Sequence, residues 1–270
     1  MEMLQQLPIE KDQRHLQRWA FIASLLMLVL SLIGLITPRA LYPGDGQADA
    51  YKVNDLVNLL IGFPGVLLAL HLMRRKKLVG LLFLPGAMLY IFYTYLAYTF
   101  GITFSLWTPA WAVLVIASGI LFFRLLFNLN SSALQHHLKG SIPAVFAGIV
   151  LAVFGLAFAG LAFNILSTSQ LILPHPDLGL AIADIVVSLI WLAGGILLLL
   201  KEPAGFAWGL GLLYAAVLLF VAVILLVAVR PFLTQVPFAI DELITLSAMA
   251  IICLIPFGLF VRGVKKKENE

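Results

Sequence analysis

Residues 206–229 read FAWGLGLLYAAVLLFVAVILLVAV, twenty-four residues without one charged side chain. At 1.5 Å per residue a helix of that length reaches about 36 Å, more than the roughly 30 Å of a bilayer's hydrocarbon core. The stretch is too long for a barrel strand and lacks period-two alternation. Seven more stretches share its character, so the predicted spans are 19–37, 54–73, 78–98, 109–127, 142–163, 178–200, 206–229 and 242–261. Charge, Pro or Gly clusters bound each of them. The rest of the composition agrees: 62% of the 270 residues are apolar and 11% charged, where a soluble domain carries about 25% charged residues. The expected fold is all-α, a polytopic integral membrane bundle of eight transmembrane helices forming a single membrane domain, 1–270. The longest segment outside the spans is residues 1–18. That excludes a nucleotide-binding fold, a zinc finger and any nucleic-acid module, and leaves the lipid bilayer as the partner the composition requires.

Cations set the orientation. With the N-terminus inside, the inner side holds Lys11, Arg14, Arg18, Arg74, Arg75, Lys76, Lys77, Arg124, Lys139, Lys201, Arg262 and Lys265 to Lys267, fourteen in all. Arg39, Lys52 and Arg230 are the three on the outside. The expectation is a cell (cytoplasmic) membrane protein with both termini cytoplasmic, whose net charge of +4 is a topology signal and needs no nucleic-acid partner. The first span exceeds a signal-peptide core, and Thr37-Pro38-Arg39-Ala40 is a poor cleavage site. Leu4, Leu7, Ile9 and Leu16 among charges suggest an N-terminal segment lying along the inner interface. The single Cys253 excludes an internal disulfide.

Two segments align without a gap. Asp55-Leu56-Val57-Asn58-Leu59-Leu60-Ile61 lies over Asp184-Ile185-Val186-Val187-Ser188-Leu189-Ile190, and a Gly follows ten residues later in each, Gly65 and Gly194. A basic turn comes next, then Gly80 or Gly205, then Tyr90 or Tyr214. The alignment predicts a parallel four-plus-four repeat with halves 1–140 and 141–270; shared span composition is the competing explanation. Pro64-Gly65 and Ala193-Gly194-Gly195 fall at matching places as helix breakers. Paired interruptions point to a transporter site, and equally Gly and Pro are common in membrane helices.

Carboxylates inside a membrane are costly and mark pathways or structural contacts. Asp184 lies about 9 Å below its span's outer end, six residues at 1.5 Å, and Asp177 is the better cap. Asp55 is shallower, in the first turn of its predicted span, where the helix dipole favours an acid. Asn58 lies on the same helix, and Tyr90, Thr94 and Tyr98 recur every four residues as one hydroxyl stripe on the third span, beside Tyr93 and Tyr95. Tyr98 also fits an interfacial belt with Trp107. The candidate site is an outward-facing polar pocket lined by Asp55, Asn58, Asp184, Tyr90, Thr94 and Tyr98. Gly148, Ala152, Gly155, Ala159 and Ala162 make a small-residue packing seam on the fifth span.

No cofactor, metal or catalytic residue is assigned. The histidines lack metal-ligand spacing, no Lys lies within a span, and no nucleophile elbow exists. Two functions remain: a small solute or proton-linked transporter or permease acting on a small-molecule or ion substrate, and a non-transporting membrane sensor, assembly partner or scaffold. An enzyme lacks any nucleophile–base or metal constellation. The pattern Asp55-Leu56-Val57, Gly62-x-Pro64, Arg74-Arg75, Gly86 and Tyr90 to Phe100-Gly101 resembles a family of uncharacterised prokaryotic polytopic membrane proteins. The resemblance covers mainly spans two and three and implies topology without an activity.

Overall fold

The computed structural model describes residues 13–44, 47–169, 172–234 and 236–269. Leu4, Leu7, Ile9 and Lys11 therefore lie outside the described residues. Among the described residues eight helices are long and apolar enough to cross a membrane, and the fold is an all-α bundle. In chain order the elements are α1 (Gln13–Ile36), the short α2 (Pro38–Leu41), α3 (Gln47–Val57), a π-turn (Asn58–Gly62), α4 (Phe63–Arg74), α5 (Leu78–Gly101) and α6 (Thr108–Phe127). A short α7 (Ser131–Leu138) follows, then α8 (Ala144–Thr168), α9 (Pro176–Leu199), α10 (Pro203–Leu233) and α11 (Ile240–Asn269). The second span is thus composite, α3 through the π-turn to α4. It opens at Gln47, seven residues before the predicted start at 54, because the polar run Gln47 to Asn54 continues the helix above its apolar part.

Two breakers read as equivalent act differently. Pro64 has no N–H and its ring crowds the carbonyl four residues back. The chain answers with the π-turn just before it, where Phe63 N–H reaches back to the Asn58 carbonyl. Ala193-Gly194-Gly195 causes no interruption: α9 runs through it, and Gly195 packs on the backbone of Gly148 and Ala152. There and at Gly155, which faces Ser188 and Leu192, the predicted seam lets α8 and α9 approach closely.

One end of the bundle is basic. Its turns at Lys76 and Lys201 have the same form, each lysine in the left-handed region (φ 56° and 57°). In each, the next N–H bonds back five residues, Lys77 to Leu72 at 3.0 Å and Glu202 to Leu197 at 2.9 Å, closing a Schellman cap. Gln135 Nε2 donates to the Lys201 carbonyl at 2.6 Å, bringing α7 to this end. Glu268 joins it as well: its carboxylate accepts from the Leu78 N–H, and from Val79 N–H at 3.4 Å, capping α5 where no nearer side chain does.

Helix pairs repeat by halves. The second span packs on α1 and α5 as α9 packs on α8 and α10; α5 packs on α6 as α10 on α11; and α1 on α6 as α8 on α11. Gly86 and Gly211, the same number of residues beyond Lys76 and Lys201, sit against each other's helix, Gly86 on the Gly211 carbonyl. Counted from the basic turns, the two acids of the gapless alignment are out of register. Asp55 precedes Lys76 by 21 residues while Asp184 precedes Lys201 by 17, so Asp184 lies one helical turn nearer the basic end.

Candidate functional site

The early start of α3 changes the position of Asp55. It lies eight residues beyond Gln47, about 12 Å along the helix, two turns past any capping role. Its side chain is 1% exposed. Tyr42, at the end of α2, donates its hydroxyl to Oδ2, and Tyr98 on α5 donates to Oδ1 at 3.1 Å. Gly34 of α1 closes the third side, where a Cβ would overlap the carboxylate. Burial first, then the charge of Asp55, holds the Tyr42 phenol far above its ordinary value, so it stays a donor. Among the described residues no Lys, Arg or His forms an ion pair with Asp55, not even Lys52 one turn earlier. The site is a buried acid met only by neutral hydroxyls among the described residues, those of Tyr42 and Tyr98 and that of Ser31 on α1.

One turn further on, Asn58 opens the π-turn and is equally buried. It accepts from the Tyr90 hydroxyl at 2.9 Å and reaches Ser31 of α1 at 3.4 Å. Thr94 is buried between Tyr90 and Tyr98 on α5. The structure therefore brings Asp55, Asn58, Tyr90, Thr94 and Tyr98 onto one side of α5. Tyr98 faces the acid and takes no part in an interfacial belt.

Asp184 lies apart from this group. It is half-buried on α9, and its Oδ1 accepts from Tyr93 at 2.8 Å. Tyr93 leaves α5 off the stripe of Tyr90, Thr94 and Tyr98, beside Ala97 and Ala183. The two carboxylates therefore share a helix between them but no partner.

The residues around Asp55 enclose no open pocket: all five are 1–4% exposed. Two cavities lie elsewhere, one of about 240 Å³ beside Phe21, His71 and Arg74, the other of about 410 Å³ beside Lys139, Lys201 and Phe206. Both lie at the basic end. Above Asp55, the rings of Tyr42, Tyr51, Tyr98 and Trp111 close the bundle in a continuous aromatic cluster.

Tyr42, Ser31, Tyr93 and Trp111 belong to these sites without having been assigned to them from sequence. Tyr42 stands in a Pro- and Gly-rich connection that reads as a loop. Tyr93 and Trp111 look like ordinary aromatic residues of apolar spans. Comparison with family models, curated proteins and solved structures finds no match for the chain.

Proposed function

We propose that the protein is a small proton-linked transporter or permease of the cytoplasmic membrane, seen with its central acid closed off. The observation that carries the reading is Asp55, fully buried in a span and without a cation partner among the described residues. An ionised carboxylate buried unpaired is costly, and two phenol donors supply hydrogen bonds but no charge. A mobile cation supplies what the fold withholds, and the proton is the smallest. The adjoining π-turn supports the reading, since such turns collect at functional sites. The fourteen-to-three cation bias supports a cytoplasmic position for both termini, which would put Asp55 nearer the outer face.

The test is solute-dependent proton movement. Full-length protein in liposomes loaded with pyranine should change internal pH when a solute from a panel of amino acids, sugars, organic acids and amines is added outside. Asp55→Asn should abolish the response. A response that survives Asp55→Asn overturns the assignment to this residue. A second reading, a non-transporting sensor, assembly partner or scaffold, draws on the closure of the network. It predicts no response to any solute, with Asp55→Asn altering stability alone.

A further inference from the structure

The acid at the centre of the bundle is roofed by an aromatic cluster of unusual completeness. Tyr42 and Tyr51 have ring centroids 5.3 Å apart, Tyr51 and Tyr98 4.8 Å, Tyr42 and Tyr98 6.0 Å. Trp111 lies 6.2 Å from Tyr42 and 6.1 Å from Tyr98. Trp111 is 0% exposed, and its indole N–H has no hydrogen-bond partner among the described residues. The four rings come from four segments: the connection after α2, then α3, α5 and α6. Three stand on membrane-spanning helices. Tyr42 alone stands in a connecting segment, its ring lies against the other three, and its hydroxyl ends on the carboxylate that Tyr98 also meets.

A carboxylate beneath aromatic faces is the chemistry that recognises an organic ammonium ion. The faces attract the cation's diffuse charge within about 6 Å of each centroid, and the acid supplies the counter-charge. A hydrated metal ion gains less from rings, and an anion is repelled by the acid. We infer that the space now filled by the Tyr42 side chain is the binding site of a small organic ammonium ion, held by Asp55 and caged by Tyr51, Tyr98 and Trp111. Tyr42 is its internal plug, lending a neutral donor to Asp55 while the ligand is absent. The plug sets the size: the ligand is no larger than a tyrosine side chain, a tetramethylammonium or benzylammonium rather than a bulky amine. The unpaired Trp111 N–H offers a donor to an oxygen on the ligand. The inference rests on the reading of Asp55 as the mobile-cation site and names the class of solute exchanged there.

Binding is measured on purified full-length protein by tryptophan fluorescence and calorimetry, with tetramethylammonium and benzylammonium as probes. Sodium, and neopentyl alcohol as a neutral isostere, are the controls. Both ammonium ions should bind and the controls should not. Trp111→Leu and Tyr51→Leu should each weaken binding about tenfold, and Asp55→Asn should abolish it. Tyr42→Phe keeps the ring but removes the hydrogen bond that competes for Asp55, so it should bind several-fold more tightly. A structural role alone gives no such gain. The liposome assay separates the failures. Asp55-dependent proton movement driven only by neutral or anionic solutes, with no ammonium binding, overturns the cage and leaves the transporter reading standing. Ammonium binding unaffected by Asp55→Asn and Tyr42→Phe overturns the site itself. Absence of both binding and proton movement overturns the two together.

Discussion

Asp55 makes its hydrogen bonds to residues far from it in sequence, and this makes single hydroxyls matter. Removing a donor from a buried carboxylate leaves part of its desolvation cost unmet, roughly 1–3 kcal/mol. Tyr98→Phe, which preserves the ring and its packing, should therefore lower the thermal unfolding midpoint in detergent by several degrees. Tyr95→Phe is the comparison: its hydroxyl meets the Met27 carbonyl at 3.3 Å and the Ser31 hydroxyl, both neutral groups, and its loss should shift the midpoint less. Equal shifts would mean that Tyr98 contributes packing alone. Asn58 and the stripe Tyr90, Thr94 and Tyr98 were legible because each lies on a strongly apolar segment where a polar atom stands out, and Asp55 because it is the acid at the edge of the apolar part of its span. Their partners were harder to read. The Tyr42 hydroxyl meets Asp55 because a turn between two spans folds back into the bundle, and residue spacing carries no signal of that fold-back. Asp184 was misplaced for a related reason: matching of residues along the chain is blind to a four-residue change of depth.

At the scale of elements, the bundle is held by glycines where helices cross. A side chain at Gly86 would meet the Gly211 carbonyl and the Ala215 N–H of α10, which cannot retreat as a flexible side chain can. Overpacking of this kind costs about 1–3 kcal/mol and more where backbones must part. Gly86→Leu should thus reduce the monodisperse peak in size-exclusion chromatography and lower the melting midpoint. Gly160→Leu should do neither, because nothing lies within 4 Å of a Cβ there. A Gly86→Leu protein as stable as the parent would remove this crossing from the account of the fold. Helix number and type were plain from apolar length, and the α8 seam from its spacing on one face. The Gly86–Gly211 crossing was not, since the two lie in different halves and each alone is an ordinary membrane glycine. The π-turn announced itself only as a proline, which also permits a kink.

For the whole molecule, the basic turns at Lys76 and Lys201 lie at one end, and the exposed Leu106, in the connection between α5 and α6, at the other. Single cysteines at these positions, in a Cys253→Ala background, report the orientation in intact cells. Cysteine at 106 should react with a membrane-impermeant maleimide from outside, whereas cysteines at 76 and 201 should react only after permeabilisation. The reverse pattern would invert the protein in the membrane. At this scale the eight spans were the most legible feature, because apolar length is summed over many residues and tolerates errors at each boundary. The cap on α5 has a different kind of consequence. The Leu78 amide and its Glu268 acceptor are separated by 190 residues, so the ribosome delivers the tyrosine-bearing helix long before the carboxylate that finishes its first turn. Until then those amides must be served by water or headgroups. The bundle's central helix is thus among the earlier parts to be inserted and among the last to be completed, and the timing of its maturation is written into the final turn of α11.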